Sequence, residues 1–202
     1  PGDQLLQGRI PRSGAVLLMS HLGNWEIAAR LLMENHRDLH LLLYMGVKER
    51  EGVERAQKEE LQQSGVQIIG VERESNVPFS AVEGIQVLRS GGLVSMAGDI
   101  VWRQDQRCLT VRFLGRQARL PEAPFVFALV SGAPLLVFFA FRVGTNHYRV
   151  TLSEPILVRA QTRADRGKAL LEAAQRYADL LEEALRAHPL QWYHFDRFVD
   201  DR

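Results

Sequence analysis

His21 and Glu26 are the two residues of this sequence whose types and spacing best suit acid–base chemistry. His21 follows an apolar run at residues 15–19, and Glu26 lies in the first turn of a helix that the pattern predicts from Trp25. A carboxylate bonded to one imidazole nitrogen fixes the tautomer, so the other nitrogen can take a proton from an alcohol. The pair therefore predicts a general base. The alternative is that Glu26 complements the helix dipole and His21 packs in a polar loop.

Asp99 is a third candidate, because it follows an apolar run at residues 93–97. In sheets of parallel strands, ligands bind beyond the carboxyl ends of the strands. We therefore expect Asp99 to lie at the same sheet edge as His21 and to add a second polar contact there. A turn-forming aspartate is the alternative.

The apolar runs that must position these residues alternate with helical patterns. Strand-like runs at residues 15–19, 39–45, 66–71 and 93–97 are separated by helical patterns from residue 25, over residues 48–63 and over residues 78–89. Further strands are predicted at residues 108–113, 134–143 and 148–152, before an amphipathic helix over residues 163–186. This alternation predicts an α/β fold, a single domain over residues 1–202 with a mostly parallel central sheet flanked by helices.

The uncharged stretch at residues 124–141 is about as long as the ~18 residues of a membrane-spanning helix. Its interior contains Ser131-Gly132-Ala133-Pro134, which interrupts a helix. We therefore predict a buried helix, a turn and a central strand.

The composition of the sequence limits which classes of partner and cofactor the protein is expected to bind. The sequence has 25 basic and 24 acidic side chains and a net charge of +1, which gives no support for a nucleic-acid partner. Cys108 is the only cysteine, so an intrachain disulfide framework and a thiolate metal site are excluded. No metal or bound cofactor is expected.

The string His21-Leu22-Gly23-Asn24-Trp25-Glu26 resembles the H-x-x-x-x-D/E block of the lysophospholipid acyltransferase superfamily, in the H-x-G-N-W/L-E form of its bacterial lipid A biosynthesis acyltransferase branch. Later blocks follow in the same order: Gly98-Asp99, Phe113-Leu114-Gly115, Leu120-Pro121-Glu122-Ala123-Pro124 and Pro189-Leu190-Gln191-Trp192-Tyr193-His194-Phe195. The resemblance spans essentially the whole sequence. The last block is most similar to predicted bacterial acyltransferases that are set apart from the lipid A enzymes.

The resemblance implies transfer of a fatty acyl group from an acyl carrier protein or coenzyme A thioester, used as co-substrate, to a lipid or glycolipid hydroxyl. In that mechanism His21 is the general base, Glu26 orients it and Asp99 assists. Asn24 and Glu122 lie in the matching blocks and are expected to bind substrate. The Pro121-Glu122-Ala123-Pro124 string departs from the P-E-G-T block of related glycerolipid enzymes, because it lacks the glycine that allows close approach of a phosphate.

Four arginines crowd the second block, within residues 107–119, namely Arg107, Arg112, Arg116 and Arg119. Guanidinium groups bind phosphate oxygens bidentately, so we expect Arg107, Arg112 and Arg119 to bind an anionic carrier or headgroup. Surface solvation is the alternative for at least two of the four.

The aromatic residues of the C-terminal block are expected mainly to cap the core, with a membrane interface as the alternative: Trp192, Tyr193, Phe195 and Phe198.

Two further functions stay open at this point, hydrolysis of a lipid ester by the same base and non-catalytic lipid binding. No G-x-S-x-G string is present, which counts against the serine hydrolase route.

The resemblance also implies a longer segment before the His block, so we expect this sequence to be a C-terminal fragment of a chain that works at the cytoplasmic face of the bacterial inner membrane.

Overall fold

The structure is a computed structural model, and it describes residues 14–36, 38–46, 59, 61–63, 65–71, 78–101, 105–145 and 147–200. The helix predicted over residues 48–63 lies mostly outside these residues, although residues 61–63 are helical. Residues 1–13 also lie outside the described residues.

The central feature is a sheet of six strands in the order β3-β2-β4-β1-β7-β8. Its first five members pair in parallel, and β8 is an antiparallel edge strand. The bounds are β1 (Ala15–Met19), β2 (Leu41–Gly46), β3 (Gln67–Val71), β4 (Leu93–Ala97), β5 (Cys108–Phe113), β6 (Arg116–Pro121), β7 (Leu135–Gly144) and β8 (His147–Leu152). The α/β prediction with a mostly parallel sheet is confirmed.

Strand β1 lies at the centre of the sheet and is buried on both faces. Leu17 and Met19 pack into the hydrophobic cluster on one face, and Val16 and Leu18 pack into the cluster on the other. Because successive side chains of a strand point to opposite faces, an uninterrupted apolar run suits only a strand that is covered twice. The apolar run therefore leads to the middle of the sheet, and the residues after it lie at the sheet's edge.

Helices cover both faces of the sheet, as the sequence predicts. Helix α1 (Trp25–Asn35) packs Ala28 and Met33 into the cluster that contains Leu17. Helices α2 (Pro78–Arg89), α3 (Ala123–Ser131) and α4 (Arg166–Ala187) contribute to the other cluster. Helix α4 begins three residues later than predicted, and it buries Tyr177 completely.

The stretch that resembles a membrane span has the predicted interruption. Helix α3 ends at Ser131, and the next residue, Gly132, adopts the left-handed conformation (φ 72°) that favours glycine after a helix. Strand β7 then begins at Leu135. Across the residues that the structure describes, no helix is both long and apolar enough to cross a bilayer.

Strands β5 and β6 form a separate antiparallel hairpin. From the sequence, we predict β5 but not β6. Leu114 and Gly115 form its turn with positive φ values of 51° and 75°, as two-residue hairpin turns of type I′ require. Ala118 and Leu120 are buried while Arg119 between them is exposed, so the alternation that marks a strand was present. Side chains of α4 hold the hairpin, since the Leu114 N–H donates to Glu182 Oε2 at 2.6 Å.

Candidate active site

The register between β1 and β4 brings His21 and Asp99 together. Met19 pairs with Ala97 in this parallel ladder, and the Gly98 N–H donates to the Met19 carbonyl oxygen at 2.9 Å. His21 and Asp99 each lie two residues past that pair. The prediction that both residues share one edge of the sheet is therefore confirmed.

Asp99 contacts His21 through both carboxylate oxygens. His21 Nδ1 lies 3.0 Å from Asp99 Oδ1, and the His21 backbone N–H donates to Asp99 Oδ2 at 2.7 Å. Because a carboxylate accepts hydrogen bonds, this geometry favours the imidazole tautomer with the proton on Nδ1. In that tautomer Nε2 carries the lone pair that can accept a proton.

Burial differs sharply between the two partners. Asp99 is only 1% exposed, whereas the His21 side chain is 30% exposed. A buried carboxylate is tolerated only where donors compensate for the lost hydration, and the His21 backbone N–H is such a donor. The arrangement is a partly accessible imidazole backed by a buried carboxylate, as in general-base sites.

Tyr177 lies beneath this pair in the core. Its hydroxyl donates to the Met19 carbonyl oxygen at 3.3 Å. Burial first, and the nearby Asp99 carboxylate second, raise the pKa of Tyr177 well above its usual value. Tyr177 therefore stays a neutral donor and supports the end of β1.

The loop after β1 is held against β7 by the main chain. Gly23 has a φ of 83°, and a Cβ atom at this position would lie 2.5 Å from the Ala140 carbonyl oxygen. The Asn24 N–H donates to that same oxygen at 2.8 Å, and Asn24 Oδ1 accepts from the Ile27 N–H at 3.0 Å. Asn24 is thus the N-cap of α1, as the sequence indicates, while its predicted contact with substrate stays a prediction.

Glu26 lies half-buried in the first turn of α1. A negative charge there is favourable for the helix dipole. The sequence pointed to Glu26 as the carboxylate that orients His21, but the carboxylate at His21 Nδ1 belongs to Asp99. The predicted role of Glu26 in catalysis stays a prediction.

The C-terminal segment adds contacts that sequence reasoning missed. The Tyr193 N–H donates to the His21 carbonyl oxygen at 2.9 Å, and the Gly23 N–H donates to the Gln191 carbonyl oxygen at 2.8 Å. Trp192 Nε1 donates to Asp99 Oδ2 at 3.4 Å, and His194 Nε2 lies 3.0 Å from the Asp99 carbonyl oxygen. The only sequence signal was the Gln-Trp block itself, because contacts across more than 90 residues leave no local pattern.

The aromatic residues of this segment have two different environments. Trp192 and Phe198 are half-buried and pack with Phe113 of β5, with ring centroids 4.9–5.6 Å apart. Tyr193 and Phe195 are exposed, Phe195 at 90%. The prediction of core packing is therefore confirmed for Trp192 and Phe198, but it is wrong for the other two.

The predicted anion-binding residues lie on or beside the β5–β6 hairpin. Arg107 Nε contacts Glu122 Oε2 at 3.0 Å, although the Arg107 side chain is 87% exposed. The Arg112 and Arg119 side chains are exposed on the hairpin. Among the described residues, the structure joins Arg107 to Glu122 but brings none of these arginines to the His21–Asp99 pair. Substrate binding by these residues stays a prediction.

A cavity of about 760 Å³ lies between α1 and the sheet. Its lining is mostly apolar and includes Trp25, Ala28 and Leu32 of α1 and Leu43 and Phe138 of the sheet. Trp25 is four residues from His21 in the chain, although His21 itself does not line the cavity. Such a space suits an apolar ligand.

Metal ligands do not cluster in the described ranges, where no group of three or more His, Cys, Asp and Glu side chains is arranged to hold an ion.

A comparison with models of known protein families identifies one family that matches this sequence. The family model for bacterial lipid A biosynthesis acyltransferases matches residues 3–198. The match includes His21, Asp99 and the C-terminal segment. No curated protein matches the sequence.

Proposed function

Because this chain belongs to the bacterial lipid A biosynthesis acyltransferase family, we propose that it transfers a fatty acyl group from a thioester to a hydroxyl of a lipid or glycolipid. The observation that carries the proposal is the contact between His21 Nδ1 and Asp99 Oδ1, at 3.0 Å, at the carboxyl edge of the sheet. It gives a member of an acyltransferase family a base of the kind that alcohol activation requires.

In the proposed reaction, neutral His21 takes the proton of the acceptor hydroxyl at Nε2. The hydroxyl oxygen attacks the thioester carbonyl carbon and forms a tetrahedral oxyanion. The oxyanion collapses with cleavage of the C–S bond, and the thiolate takes the proton from His21. The Asp99 carboxylate stabilises the intermediate imidazolium and keeps its ring oriented. No acyl-enzyme and no redox step is needed.

Glu26 and Asn24 act beside the base in this proposal. Glu26 lies in the first turn of α1 and supplies a second negative charge five residues after His21. Asn24 fixes the start of the same helix through its cap. Glu26 would orient the base or the acceptor.

In this proposal, the apolar cavity and the arginines bind the two ends of a thioester donor. The cavity of about 760 Å³ has Trp25 in its lining and is lined mainly by apolar side chains, which suits an acyl chain. Exposed Arg107, Arg112 and Arg119 suit the anionic part of an acyl carrier protein or coenzyme A. No bound cofactor takes part, because the thioester is consumed as a substrate. A lipid acceptor also implies contact with a membrane surface, which we propose to be the cytoplasmic face of the bacterial inner membrane.

The test is an acyl-transfer assay with the full-length protein and with His21→Ala. Acyl carrier protein and coenzyme A thioesters of several chain lengths are offered with lipid acceptors in vesicles, and mass spectrometry measures the acylated lipid and the free fatty acid. We expect acylated lipid from the wild type, a loss of about 10²-fold or more in His21→Ala, and flotation of the protein with the vesicles.

The same assay separates the alternatives. Free fatty acid without acylated lipid would identify a hydrolase, and turnover that persists in His21→Ala would place the base elsewhere. Thermal unfolding of His21→Ala serves as the control for folding.

A further inference from the structure

The C-terminal segment Gln191–His194, here called the clamp, contacts the catalytic loops at four points. Two are main-chain bonds, from Gly23 N to Gln191 O and from Tyr193 N to His21 O. The other two reach Asp99, from Trp192 Nε1 to its carboxylate and from His194 Nε2 to its carbonyl oxygen. The clamp therefore touches the base on its main chain and the carboxylate residue on both its side chain and its main chain.

We propose that His194 is a positioning residue of the acyl-transfer reaction, which acts by holding Asp99 in place against His21. This inference rests on the proposed function for its kinetic consequence. Its structural content, that His194 controls the His21–Asp99 contact, stands apart from that function.

The reasoning begins with the position of Asp99 in a loop. Asp99 lies just past the end of β4, so the β-ladder no longer fixes its backbone. Its carbonyl oxygen can only accept, so the N–H at His194 Nε2 donates to it at 3.0 Å. Because this bond holds the main chain of Asp99, it sets where the carboxylate can reach. A misplacement of about 1 Å at such a site can lower the rate of a reaction by about 10²-fold.

Both nitrogens of His194 face main-chain acceptors. His194 Nδ1 lies 3.1 Å from the Asp196 carbonyl oxygen. A neutral imidazole donates one hydrogen bond and a protonated ring donates two. Because the Asp99 carbonyl oxygen only accepts, the ring connects the loop after β4 to the C-terminal segment as the Nε2–H tautomer or as the protonated ring.

Aromatic packing keeps the His194 ring where it can make these contacts. Its centroid lies 5.5 Å from that of Trp192 and 5.2 Å from that of Phe198. Trp192 and Phe198 in turn pack on Phe113 of the hairpin. The His194 ring also stands at 90° to the His21 ring, with centroids 6.0 Å apart. The clamp is therefore anchored in the core and ends beside the base.

The kinetic test compares His194→Phe with His194→Gln in the full-length protein. Phenylalanine keeps an aromatic ring against Trp192 and Phe198 but removes the donor to Asp99. Glutamine restores an N–H donor near the position of Nε2. We expect His194→Phe to lower kcat by about tenfold with KM within about twofold, and His194→Gln to recover most of that loss.

A second measurement needs no turnover. In ¹⁵N NMR spectra, the ring nitrogens of His21 report which of them carries the proton. We expect His194→Phe to lower the population of the Nδ1–H tautomer of His21, because Asp99 Oδ1 is no longer held against Nδ1. His194→Gln should resemble the wild type.

Phe195→Leu is the matched control, because Phe195 is the next residue of the chain and is 90% exposed. It should leave kcat and the His21 spectrum unchanged. Unchanged His21 spectra in His194→Phe, or an equal loss in the glutamine and phenylalanine variants, would overturn the proposal. If the wild type transfers no acyl group, the proposed function fails while the NMR comparison still decides whether His194 positions the pair.

Discussion

The sheet edge around His21 and the β5–β6 hairpin hold their charged residues in opposite ways. At the sheet edge, Asp99 is 1% exposed and receives bonds from the His21 main chain and the Trp192 ring. On the hairpin, Arg112 and Arg119 are exposed, and beside it Arg107 is 87% exposed although it pairs with Glu122. The carboxylate at the sheet edge is therefore held in a fixed geometry, whereas the charges of the arginines are accessible to a partner.

This difference separates two kinds of contribution to the proposed acyl transfer. A buried, hydrogen-bonded carboxylate can orient a base within a few tenths of an ångström, which affects the chemical step. Exposed guanidinium groups interact with an anionic partner through a screened field, which affects encounter and binding. Substitutions in the two regions should consequently differ in size, in the kinetic constant affected and in salt dependence.

Asp99→Asn should give the largest effect of the substitutions that compare the two regions. The His21 N–H and the Trp192 Nε1–H both donate to Oδ2, so the amide oxygen should occupy that position. The amide NH₂ then faces His21 Nδ1 and donates to it, which moves the ring proton to Nε2 and blocks the base. We expect kcat to fall by about 10²–10⁴-fold, as measured in the acyl-transfer assay.

The tautomer of His21 in Asp99→Asn is the control for this explanation. Ring ¹⁵N shifts should report the Nε2–H form, while circular dichroism should report an intact fold. A variant with near-normal kcat would mean that Asp99 is a structural residue and that Glu26 remains the better candidate for orienting the base.

Gly23→Ala and Gly115→Ala compare the two regions at the level of stability. Both glycines have positive φ values, 83° and 75°. A Cβ atom at Gly23 would lie 2.5 Å from the Ala140 carbonyl oxygen, whereas one at Gly115 would meet nothing within 4 Å. We expect Gly115→Ala to lower the free energy of unfolding by about 1 kcal/mol, from backbone strain alone. Gly23→Ala should lower it by about 3 kcal/mol and also reduce activity.

Chemical denaturation of the two variants measures this difference, with equal m-values as the check that both unfold in the same way. Equal losses would mean that the loop after β1 can move away from β7 without penalty, in which case the fixed geometry of the site would be in doubt.

Arg112→Gln and Arg119→Gln should give the smallest effects. Each removes one exposed positive charge from the hairpin, so we expect the KM for the carrier thioester to rise by about two- to fivefold with kcat unchanged. The increase should largely disappear when the assay is repeated at about 0.5 M salt, because exposed charges are screened there. A salt-independent loss of kcat would instead connect these arginines to the chemical step.

Local patterns predicted most of the elements on which the site depends. The apolar run of β1, the cap at Asn24 and the Gly132 break before β7 are each read from a few neighbouring residues, and all three are present. From the sequence, we predict no strand at β6, where the exposed Arg119 separates the buried Ala118 and Leu120.

The sequence by itself determined the order of the strands and helices along the chain except β6, the location of His21 and Asp99 after two apolar strands, and the resemblance to an acyltransferase branch. It did so because strand periodicity, helix capping and motif spacing are properties of adjacent residues. Only the tertiary structure decided which carboxylate contacts His21 Nδ1 and which segment holds that carboxylate. His21 and Asp99 are 78 residues apart, and Asp99 and His194 are 95 residues apart. Contacts over such separations depend on the β1–β4 register and on the return path of the chain after α4, which no local pattern encodes.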